Sequence, residues 1–550
     1  MSADITSRLP PRDAWPDLVC DRPELRYPGA INLATELLDR HVIAGRGGRP
    51  AVVMADGRRA SYDDVQRLTD RIGKALTRLG VRPGDRVALR FLNNTTFVAS
   101  WLAVQKIGAV GVSTMPMLRA RELAYIVNDS EASVFLCAGD LLDEVARARP
   151  SFDHAVVVVD ATLDGASAPA AGADLRLDTL IAGETPGLDA VPRAPRDLAL
   201  IAYTSGSTGI PKGATHAPAD VLASADTYAR YVLAARPDDV FGGHPTLAFT
   251  FGLGGLLVFP FRVGAATALL ERFTPDALMR SVGPSRISVL FCAATTYRLL
   301  LQDPELERKY DLGSLRACVS AGEPLPAPVY DEWLRRTGVE ILDGIGSTEM
   351  FHIFISSAPG RARPGSTGVP VPGYEARVVD DEMRDVPRGA PGTLAVRGPT
   401  GCRYWRKPDR QREYVREGWN LTGDVYVEDA DGYFWYQCRN DDLIICGGYN
   451  IAGPEIESVL IEHPAVLEAA VVATPDAMRG SLPKAFVVLK PGVVASARLV
   501  EALQRHVKDA LAPYKYPREV EFVDALPRTE TGKVRRVELR ERERLRKAAP

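Results

Sequence analysis

Residues 203–213 read Tyr-Thr-Ser-Gly-Ser-Thr-Gly-Ile-Pro-Lys-Gly, and this stretch decides how the rest of the chain is interpreted. Its glycines allow positive φ angles, so that backbone N–H groups can converge on an anion. The apolar run before it, 198–203, predicts a short buried strand, and α/β folds bind ligands where such strands end. The stretch therefore predicts a polyphosphate-binding loop, with hydroxyl donors and one cation from Thr204, Ser205, Ser207, Thr208 and Lys212.

The loop differs from a Walker A loop, because Lys212 lies between Pro211 and Gly213 and no Gly-Lys-Ser/Thr sequence is present.

Length and composition indicate a globular enzyme of several folding units. A chain of 550 residues is too long for one core. A hydrophobic fraction of 46% and a net charge of −3, without a block of one sign, give no sign of a nucleic-acid partner. The longest nearly apolar run, 251–261, is too short to cross a membrane, and the first residues have no apolar signal core. We therefore expect a cytoplasmic protein without a membrane partner.

The cysteines support the same compartment. There are seven, an odd number, and no CxxC pair occurs among them. This pattern predicts a reducing environment, no disulfide framework and no zinc site.

The order of patterns along the chain predicts an α/β fold. Ser61 to Asp64 resembles a capping box, a helical apolar pattern follows, and 86–90 is typical of a strand. Such alternation continues to about residue 380 and predicts two doubly wound α/β subdomains. Short strands with frequent turns at about 374–436 predict a small β-barrel-like subdomain, which completes an N-terminal domain over 1–440. A small α+β C-terminal domain is predicted over 441–550, and its tail, 535–547, alternates Arg with Glu and predicts a solvated helix face.

Motifs in the same order and at similar spacing resemble those of the adenylate-forming superfamily, which contains acyl- and aryl-CoA synthetases, luciferases and peptide-synthetase adenylation domains. Besides the phosphate loop they are Asp343-Gly-Ile-Gly-Ser-Thr-Glu349, Leu421-Thr-Gly-Asp424 and Pro527-Arg-Thr-Glu-Thr-Gly-Lys533. The resemblance spans nearly the whole chain. It implies that ATP activates a carboxylate as an acyl-AMP with release of pyrophosphate, and that a second nucleophile then takes the acyl group.

The resemblance also implies roles for individual residues. Lys212 would hold the β- and γ-phosphates, Glu349 would hold Mg2+, and Asp424 would accept from the ribose hydroxyls. Lys533 would bridge the acid and the α-phosphate. Asp343 and Gly344 would line the adenine slot, and Arg439 would also reach the ribose. The residues expected to contact ATP or AMP are Thr204, Ser205, Gly206, Ser207, Thr208, Gly209, Lys212, Gly322, Glu323, Pro324, Asp343, Gly344, Ile345, Gly346, Ser347, Thr348, Asp424, Tyr436, Arg439 and Lys533.

Two further positions concern the second half-reaction. Asp441 matches the hinge about which the family rotates its mobile small domain, and Gly448 would line the tunnel for the pantetheine of coenzyme A. The resemblance thus implies a catalytic set of Lys533, Thr204, Glu349, Asp441 and Gly448.

The acid pocket resembles that of benzoate-type aryl-CoA ligases in the segments 244–252 and 347–354. The stretches 398–404, 419–424, 431–437 and 448–454 are most similar to 2-aminobenzoate–CoA ligases. His352 or Thr250 could meet an ortho substituent, and Arg262 is expected to face away. The residues expected around the ring are Phe249, Thr250, Phe251, Ala321, Gly346, His352 and Ile353.

We therefore expect an ATP-dependent aryl-acid–CoA ligase, with 2-aminobenzoate favoured and ATP, Mg2+ and coenzyme A as its cofactors. Benzoate or a hydroxybenzoate is the second choice of acid. A stand-alone adenylation enzyme that loads a carrier-protein pantetheine is left open, and so is, in another class, a non-catalytic nucleotide-binding homologue. A homodimer is also left open.

Overall fold

The computed structural model describes residues 5–163, 168–204, 211–446, 449–476, 480–511, 515–529 and 532–548. Four sheets organise these residues. The predicted alternation of strands and helices is present in the first two sheets, which are mainly parallel.

The first sheet has seven strands and contains the strand that precedes the phosphate loop. All of its pairs are parallel except the last, in which Leu200–Thr204 runs antiparallel to Lys212–His216. In spatial order the strands are Leu175–Arg176, Val157–Asp160, Val134–Cys137, Arg86–Arg90, Val110–Ser113, Leu200–Thr204 and Lys212–His216.

The second sheet has nine strands, with a parallel centre and antiparallel pairs at both edges. Its strand Ile341–Gly346 carries the predicted adenine-binding residues. In spatial order the strands are Val369–Pro370, Ile353–Ser356, Ile341–Gly346, Ala317–Ala321, Val289–Cys292, Val240–Gly243, Ala266–Leu269, Pro50–Met54 and Arg59–Ser61.

Two smaller five-stranded sheets follow in the chain. The third is antiparallel and occupies the predicted barrel-like region, with strands Glu375–Val379, Pro391–Arg397, Val415–Arg416, Trp419–Glu428 and Phe434–Arg439. The fourth belongs to the small C-terminal part, with strands Ile444–Cys446, Tyr449–Ile451, Val466–Asp476, Gly480–Leu489 and Glu519–Phe522.

Helices cover the sheets, and the first long one begins where the sequence predicts. Ser61 accepts from the backbone of Asp64, whose side chain accepts from the backbone of Ser61, so a capping box starts the helix Tyr62–Arg78. The α-helices are Tyr62–Arg78, Thr95–Lys106, Ala120–Ser130, Leu142–Ala148, Leu177–Ile181, Pro218–Ser224, Thr250–Leu253, Phe259–Val263, Pro275–Ser285, Ala294–Leu300, Leu306–Lys309, Ala327–Thr337, Pro408–Tyr414, Gly453–Glu462, Ala497–Ala510 and Arg536–Ala548.

The C-terminal helix Arg536–Ala548 has the predicted solvated face, but its inner side is buried. Glu543 is completely buried there and accepts hydrogen bonds from Lys484 at 2.6 Å and Thr474 at 3.0 Å. A buried ammonium requires a counter-charge, which the Arg-Glu alternation of the tail does not reveal.

Within the described residues, no helix combines the length and apolar character that crossing a membrane requires. All seven cysteines lie among the described residues, and none of them takes part in a disulfide.

A buried histidine links the N-terminal segment to the end of the predicted acid-pocket helix. His41 donates from Nε2 to the carbonyl of Phe261 at 2.6 Å and accepts at Nδ1 from Arg46 at 3.0 Å. The ring is therefore held in its neutral form, and burial lowers the pKa of His41 to about 4.

This geometry predicts a pH dependence of stability. The pKa of His41 is lower in the folded state than in the unfolded state, where it is about 6.5. Its contribution is therefore fully present above pH 6.5 and is lost as the pH falls toward 4. At pH 5.2 we expect His41→Gln, which can keep both hydrogen bonds, to take up about one proton fewer on unfolding than the wild type. Potentiometric titration during unfolding measures this number, and equal uptake would contradict the assignment.

Candidate active site

The strands that flank the phosphate loop pair with each other, and Asp129 accepts hydrogen bonds from two aromatic residues beside them. Thr204 and Lys212 face each other across the antiparallel strand pair. The hydroxyl of Tyr203 donates to Asp129 at 2.7 Å, and the indole of Trp405 donates to the carbonyl of Asp129 at 2.8 Å. The predicted loop residues Ser205, Gly206, Ser207, Thr208 and Gly209 lie outside the described residues.

A tyrosine orients the predicted metal ligand. The hydroxyl of Tyr404 donates to Oε1 of Glu349 at 2.7 Å. Burial and the neighbouring carboxylate raise the pKa of Tyr404, so the phenol stays protonated and remains a donor. Tyr404 itself is held by ring contact with Tyr414 and by a 2.9 Å bond from its backbone N–H to Gln411.

The residues at this position fit a hard cation. Oε1 of Glu349 is occupied by Tyr404, and no other hydrogen bond to Glu349 occurs among the described residues. Mg2+ is usually bound by one or two carboxylates together with phosphate oxygens and water. The second oxygen of Glu349 could supply that carboxylate ligand.

The predicted adenine side contains a buried carboxyl with an unused oxygen. Asp343 is 8% exposed, and its Oδ1 has no hydrogen-bond partner among the described residues. Burial raises the pKa of Asp343 well above its usual range. An unbonded buried oxygen is costly unless a ligand satisfies it, so this position suits a polar nucleobase edge.

Two glycines let the β-strand Ile341–Gly346 lie close to the predicted acid pocket. A Cβ at Gly344 would lie 2.8 Å from Cγ2 of Ile353, and one at Gly346 would lie 2.6 Å from the carbonyl oxygen of His352. Any side chain at these positions would collide with the returning chain. The glycines therefore allow the residues expected to bind adenine and those expected to surround the ring to lie next to each other.

The predicted ribose residues are paired with each other. Asp424 and Arg439 face each other on adjacent strands, and Nη1 of Arg439 lies 3.1 Å from Oδ1 of Asp424. Burial raises the pKa of Asp424, and the nearby cations Arg439 and Lys533 act in the opposite direction. Tyr436 lies on the same strand as Arg439 and packs against Tyr426.

Lys533 reaches the nucleotide residues of the large domain. Its Cε lies 3.7 Å from the Cβ position of Gly322, which has a φ of +91°. The side chain keeps solvent contact, but the surrounding protein lowers the pKa of Lys533, while the carboxylates of Asp424, Glu323 and Glu349 act to raise it. The lysine of the last predicted motif is thus brought to the residues of the earlier ones. Pro324 is exposed beside Glu323.

The predicted acid pocket is built on a helical run with a wide turn. The helices Thr250–Leu253 and Phe259–Val263 are joined by a π-helical segment, Gly254–Val258. A Cβ at Gly254 would lie 2.3 Å from Cδ2 of His352, so only glycine lets the imidazole pack against this turn. Such π segments are frequent at functional sites.

The His352 ring is enclosed by aromatic side chains. It is 3% exposed and contacts Phe259 edge-on at a centroid distance of 4.5 Å and Phe251 at 5.6 Å. Its Nε2 faces the carbonyl of Phe251 at 3.3 Å, which assigns the hydrogen to Nε2. Nδ1 is then a buried acceptor without a partner among the described residues. Burial lowers the pKa of His352 to about 3, so the ring is neutral at physiological pH.

The other predicted ring residues lie around this cluster in different ways. Ile353 and Ala321 are buried, whereas Phe249 is half-buried at the start of the pocket helix. Thr250 lines a small internal cavity together with Trp101.

Arg262 points away from the pocket, as predicted. Its guanidinium bonds to Asp226 at 2.9 Å and to Glu36 at 2.6 Å. This pairing leaves Arg262 engaged by two carboxylates outside the pocket.

The remaining predicted residues lie near the strand ends and in the connection to the small domain. Ile345 lies in the strand Ile341–Gly346, Ser347 and Thr348 follow it, and the carbonyl of Thr348 accepts from His216 at 2.7 Å. The backbone of Asp441 lies in a short 3-10 turn, Asn440–Asp442. Gly448 lies outside the described residues.

Several contacts of the site have no signal in the sequence. Nothing in the pattern around Tyr404 pairs it with Glu349, 55 positions away. Phe259 and Phe291 both contact the His352 ring, although neither belongs to the predicted pocket set. The contact of Glu323 with Thr295 is equally unpredicted.

Comparison with known families decides the relationship. The AMP-binding enzyme model matches residues 39–405, and the model of the AMP-binding enzyme C-terminal domain matches residues 455–533. The chain belongs to the AMP-binding enzyme family. The predicted adenylate-forming family, the α/β fold with a large first and a small second domain, and the AMP-forming acid–thiol ligase class are confirmed.

The similar proteins include three ligases of aromatic acids, alongside acyl- and acetyl-coenzyme A synthetases. The benzoate–CoA ligase of Thauera aromatica is 39% identical over 94% of this chain and 97% of its own. The crystal structure of the anthranilate CoA ligase AuaEII with anthranoyl-AMP has a TM-score of 0.91 at 36% identity and covers 96% of this chain and 100% of its own. A benzoate CoA ligase from Burkholderia xenovorans LB400 has a TM-score of 0.84 at 34% identity over 93% and 100%.

The hydrogen bond from Tyr404 to Glu349 generates a prediction about metal-dependent ATP binding. Tyr404→Phe should weaken the Mg2+-dependent tightening of ATP binding by about 10- to 100-fold, because outer partners orient a metal ligand. Titration calorimetry with Mg2+ and with chelator measures both affinities, and ATP binding in chelator should change little.

Tyr426→Phe is the matched control, because Tyr426 is equally buried and its hydroxyl contacts Thr367 instead. Identical Mg2+ dependence in Tyr404→Phe and the wild type would refute the role of the hydrogen bond.

Proposed function

We propose that this chain is an ATP-dependent aryl-acid–CoA ligase whose preferred acid is 2-aminobenzoate. The observation that carries the proposal is the position of Lys533 beside Gly322, within electrostatic range of Asp424 and Glu349. This juxtaposition joins residues more than 200 positions apart in the sequence. It supports a site in which a carboxylate and the α-phosphate of ATP react.

In the first half-reaction, a carboxylate oxygen of the acid forms a bond to the α-phosphorus of ATP while the bond to pyrophosphate breaks. Lys533 would stabilise the charge that develops on the attacking oxygen and on the α-phosphate. Lys212 would hold the departing pyrophosphate. A magnesium ion held by Glu349 would neutralise phosphate charge when bound.

In the second half-reaction, the thiolate of coenzyme A attacks the acyl carbon. AMP leaves and keeps one oxygen that came from the acid. We propose Asp441 as the hinge between the two arrangements, with the small domain over 441–550, and Gly448 as part of the thiol tunnel. Activity with free coenzyme A separates this proposal from loading of a carrier protein.

The proposed preference for an ortho amine rests on the His352 imidazole. Its Nδ1 is an acceptor without a partner among the described residues, and the ring is neutral because its pKa is about 3. An aryl amine or hydroxyl can donate to such an acceptor, whereas an unsubstituted ring cannot. The similarity to an anthranilate CoA ligase supports the same acid, and the two benzoate CoA ligases support the broader aromatic class.

Lys533 should act in only one half-reaction. Lys533→Ala should lower ATP–pyrophosphate exchange by about 100-fold or more, because preorganised charge stabilisation contributes about 10²–10³-fold per group. Thioester formation from supplied acyl-AMP should be largely spared, because Lys533 then has no developing phosphate charge to stabilise. Equal losses in both half-reactions would argue against this role.

A panel of acids tests the substrate class. We expect kcat/KM to fall from 2-aminobenzoate to benzoate to hexanoate. His352→Phe, which removes the acceptor but keeps an aromatic ring, should reduce the preference for 2-aminobenzoate over benzoate by roughly tenfold, the value of one buried hydrogen bond.

Hexanoate is the internal control in this panel, since its turnover does not depend on an acceptor. A wild-type preference for benzoate would refute the ortho-amine proposal alone. A preference for fatty acids would refute the aromatic class as well.

A further inference from the structure

A chain of polar contacts crosses from the large domain to the turn that presents Lys533. On the large-domain side it begins at Glu323, which accepts from the hydroxyl of Thr295 at 2.9 Å. Arg298 lies one turn later on the same helix, and its Nη2 contacts the Thr295 hydroxyl at 3.3 Å and Oε1 of Glu468 at 3.4 Å. Glu468 belongs to the small domain, in the strand Val466–Asp476.

Glu468 also holds the Lys533 turn. Its second oxygen, Oε2, accepts from Nη2 of Arg528 at 2.6 Å, and Nη1 of Arg528 donates to the carbonyl of Gly532 at 2.6 Å. The turn is closed by a 2.7 Å bond from the backbone N–H of Thr529 to the carbonyl of Lys533. Arg528 therefore fixes the residue immediately before Lys533.

The charged groups in this series of polar contacts are partly shielded from water. The side chains of Glu468, Arg298 and Arg528 are 13%, 19% and 27% exposed. One carboxylate thus lies between two guanidinium groups from different domains. Removing its charge would leave these two cations facing each other in a site where screening is reduced.

The two ion pairs differ in what domain rotation would do to them. Arg528 and Glu468 lie in the same domain and would move together. Arg298 lies in the large domain, so rotation of the small domain would separate it from Glu468. The Arg298–Glu468 contact is therefore a feature of the arrangement in which Lys533 lies beside Gly322.

We infer that Glu468 is a positioning residue. It pairs with Arg298 of the large domain and with Arg528, which holds the turn before Lys533, and so it aligns Lys533 for acyl-AMP formation. The inference rests on the proposed function of Lys533. It adds a residue that touches neither ATP nor the acid. It also connects the predicted nucleotide residue Glu323 to the catalytic turn through Thr295 and Arg298.

Glu468→Gln tests this role with almost no change in side-chain size. We expect ATP–pyrophosphate exchange to fall at least tenfold, since a misplacement of about 1 Å can cost about 100-fold. Thioester formation from supplied acyl-AMP should change little, because that step does not use the Arg298–Glu468 contact. Some loss of thermal stability is expected, because Arg298 and Arg528 then lack their shared counter-charge, and the ratio of the two half-reactions is therefore the readout.

A double-mutant cycle and a matched control distinguish a positioning role of Glu468 from a general contribution to stability. Arg298→Met should lower exchange in the same direction, and the Arg298→Met/Glu468→Gln double variant should fall no further than Glu468→Gln alone. Glu541→Gln, which removes an exposed pair with Arg544 on the C-terminal helix, should behave like the wild type. Equal loss of both half-reactions with a lower melting temperature would overturn the inference.

A second readout does not depend on the acid or on turnover. The pH dependence of Lys533 acetylation, followed by peptide mass spectrometry without substrates, reports the surroundings of this ammonium. Because Lys533 lies against Gly322 within range of Asp424, Glu323 and Glu349, Glu468→Gln should change this profile. If the wild type exchanges pyrophosphate with no acid, the proposed function fails, whereas an unchanged acetylation profile in the variant overturns the positioning role.

Discussion

Repulsion between negative charges is the constraint on which this active site depends. An acid carboxylate has to approach the triphosphate of ATP, and two unit charges 4 Å apart repel by about 1 kcal/mol in water and about 4 kcal/mol near a protein surface. The cations that offset this repulsion come from separate parts of the fold. Lys212 begins a strand of the first sheet, whereas Lys533 comes from the small domain. The proposed rotation of the small domain would therefore deliver and withdraw the second cation.

The site also contains carboxylates, and each of those near Lys533 is held by a donor. Tyr404 donates to Glu349, Arg439 to Asp424, and Thr295 to Glu323. These bonds fix the positions of the carboxylates before any ligand binds, so the charges of the site are preorganised. Asp343, on the expected adenine side, differs from these three, since one of its buried oxygens has no partner among the described residues and is available to a ligand.

Much of the fold was predictable because its signals are local. The capping box at Ser61 starts a helix, and the apolar run before the phosphate loop forms a strand that ends at Thr204. The motif residues Asp343, Asp424 and Lys533 can be singled out because their neighbours in sequence resemble family motifs. The contacts between motifs could not be predicted in this way, since Glu349 and Tyr404, or Arg298 and Glu468, meet only through tertiary packing. The same holds for the His352 tautomer, which depends on the distant carbonyl of Phe251.

In the proposed mechanism a carboxylate oxygen of the acid attacks the α-phosphorus of ATP, and isotope labelling of the acid shows where that oxygen goes. 2-Aminobenzoate labelled with 18O in both carboxyl oxygens is converted with ATP and coenzyme A, and the nucleotide and phosphate products are analysed by mass spectrometry. One 18O atom is expected in AMP and none in pyrophosphate, because AMP leaves the acyl group with an oxygen that came from the acid. Appearance of ADP with 18O in inorganic phosphate would contradict it, since that result requires attack at the γ-phosphorus.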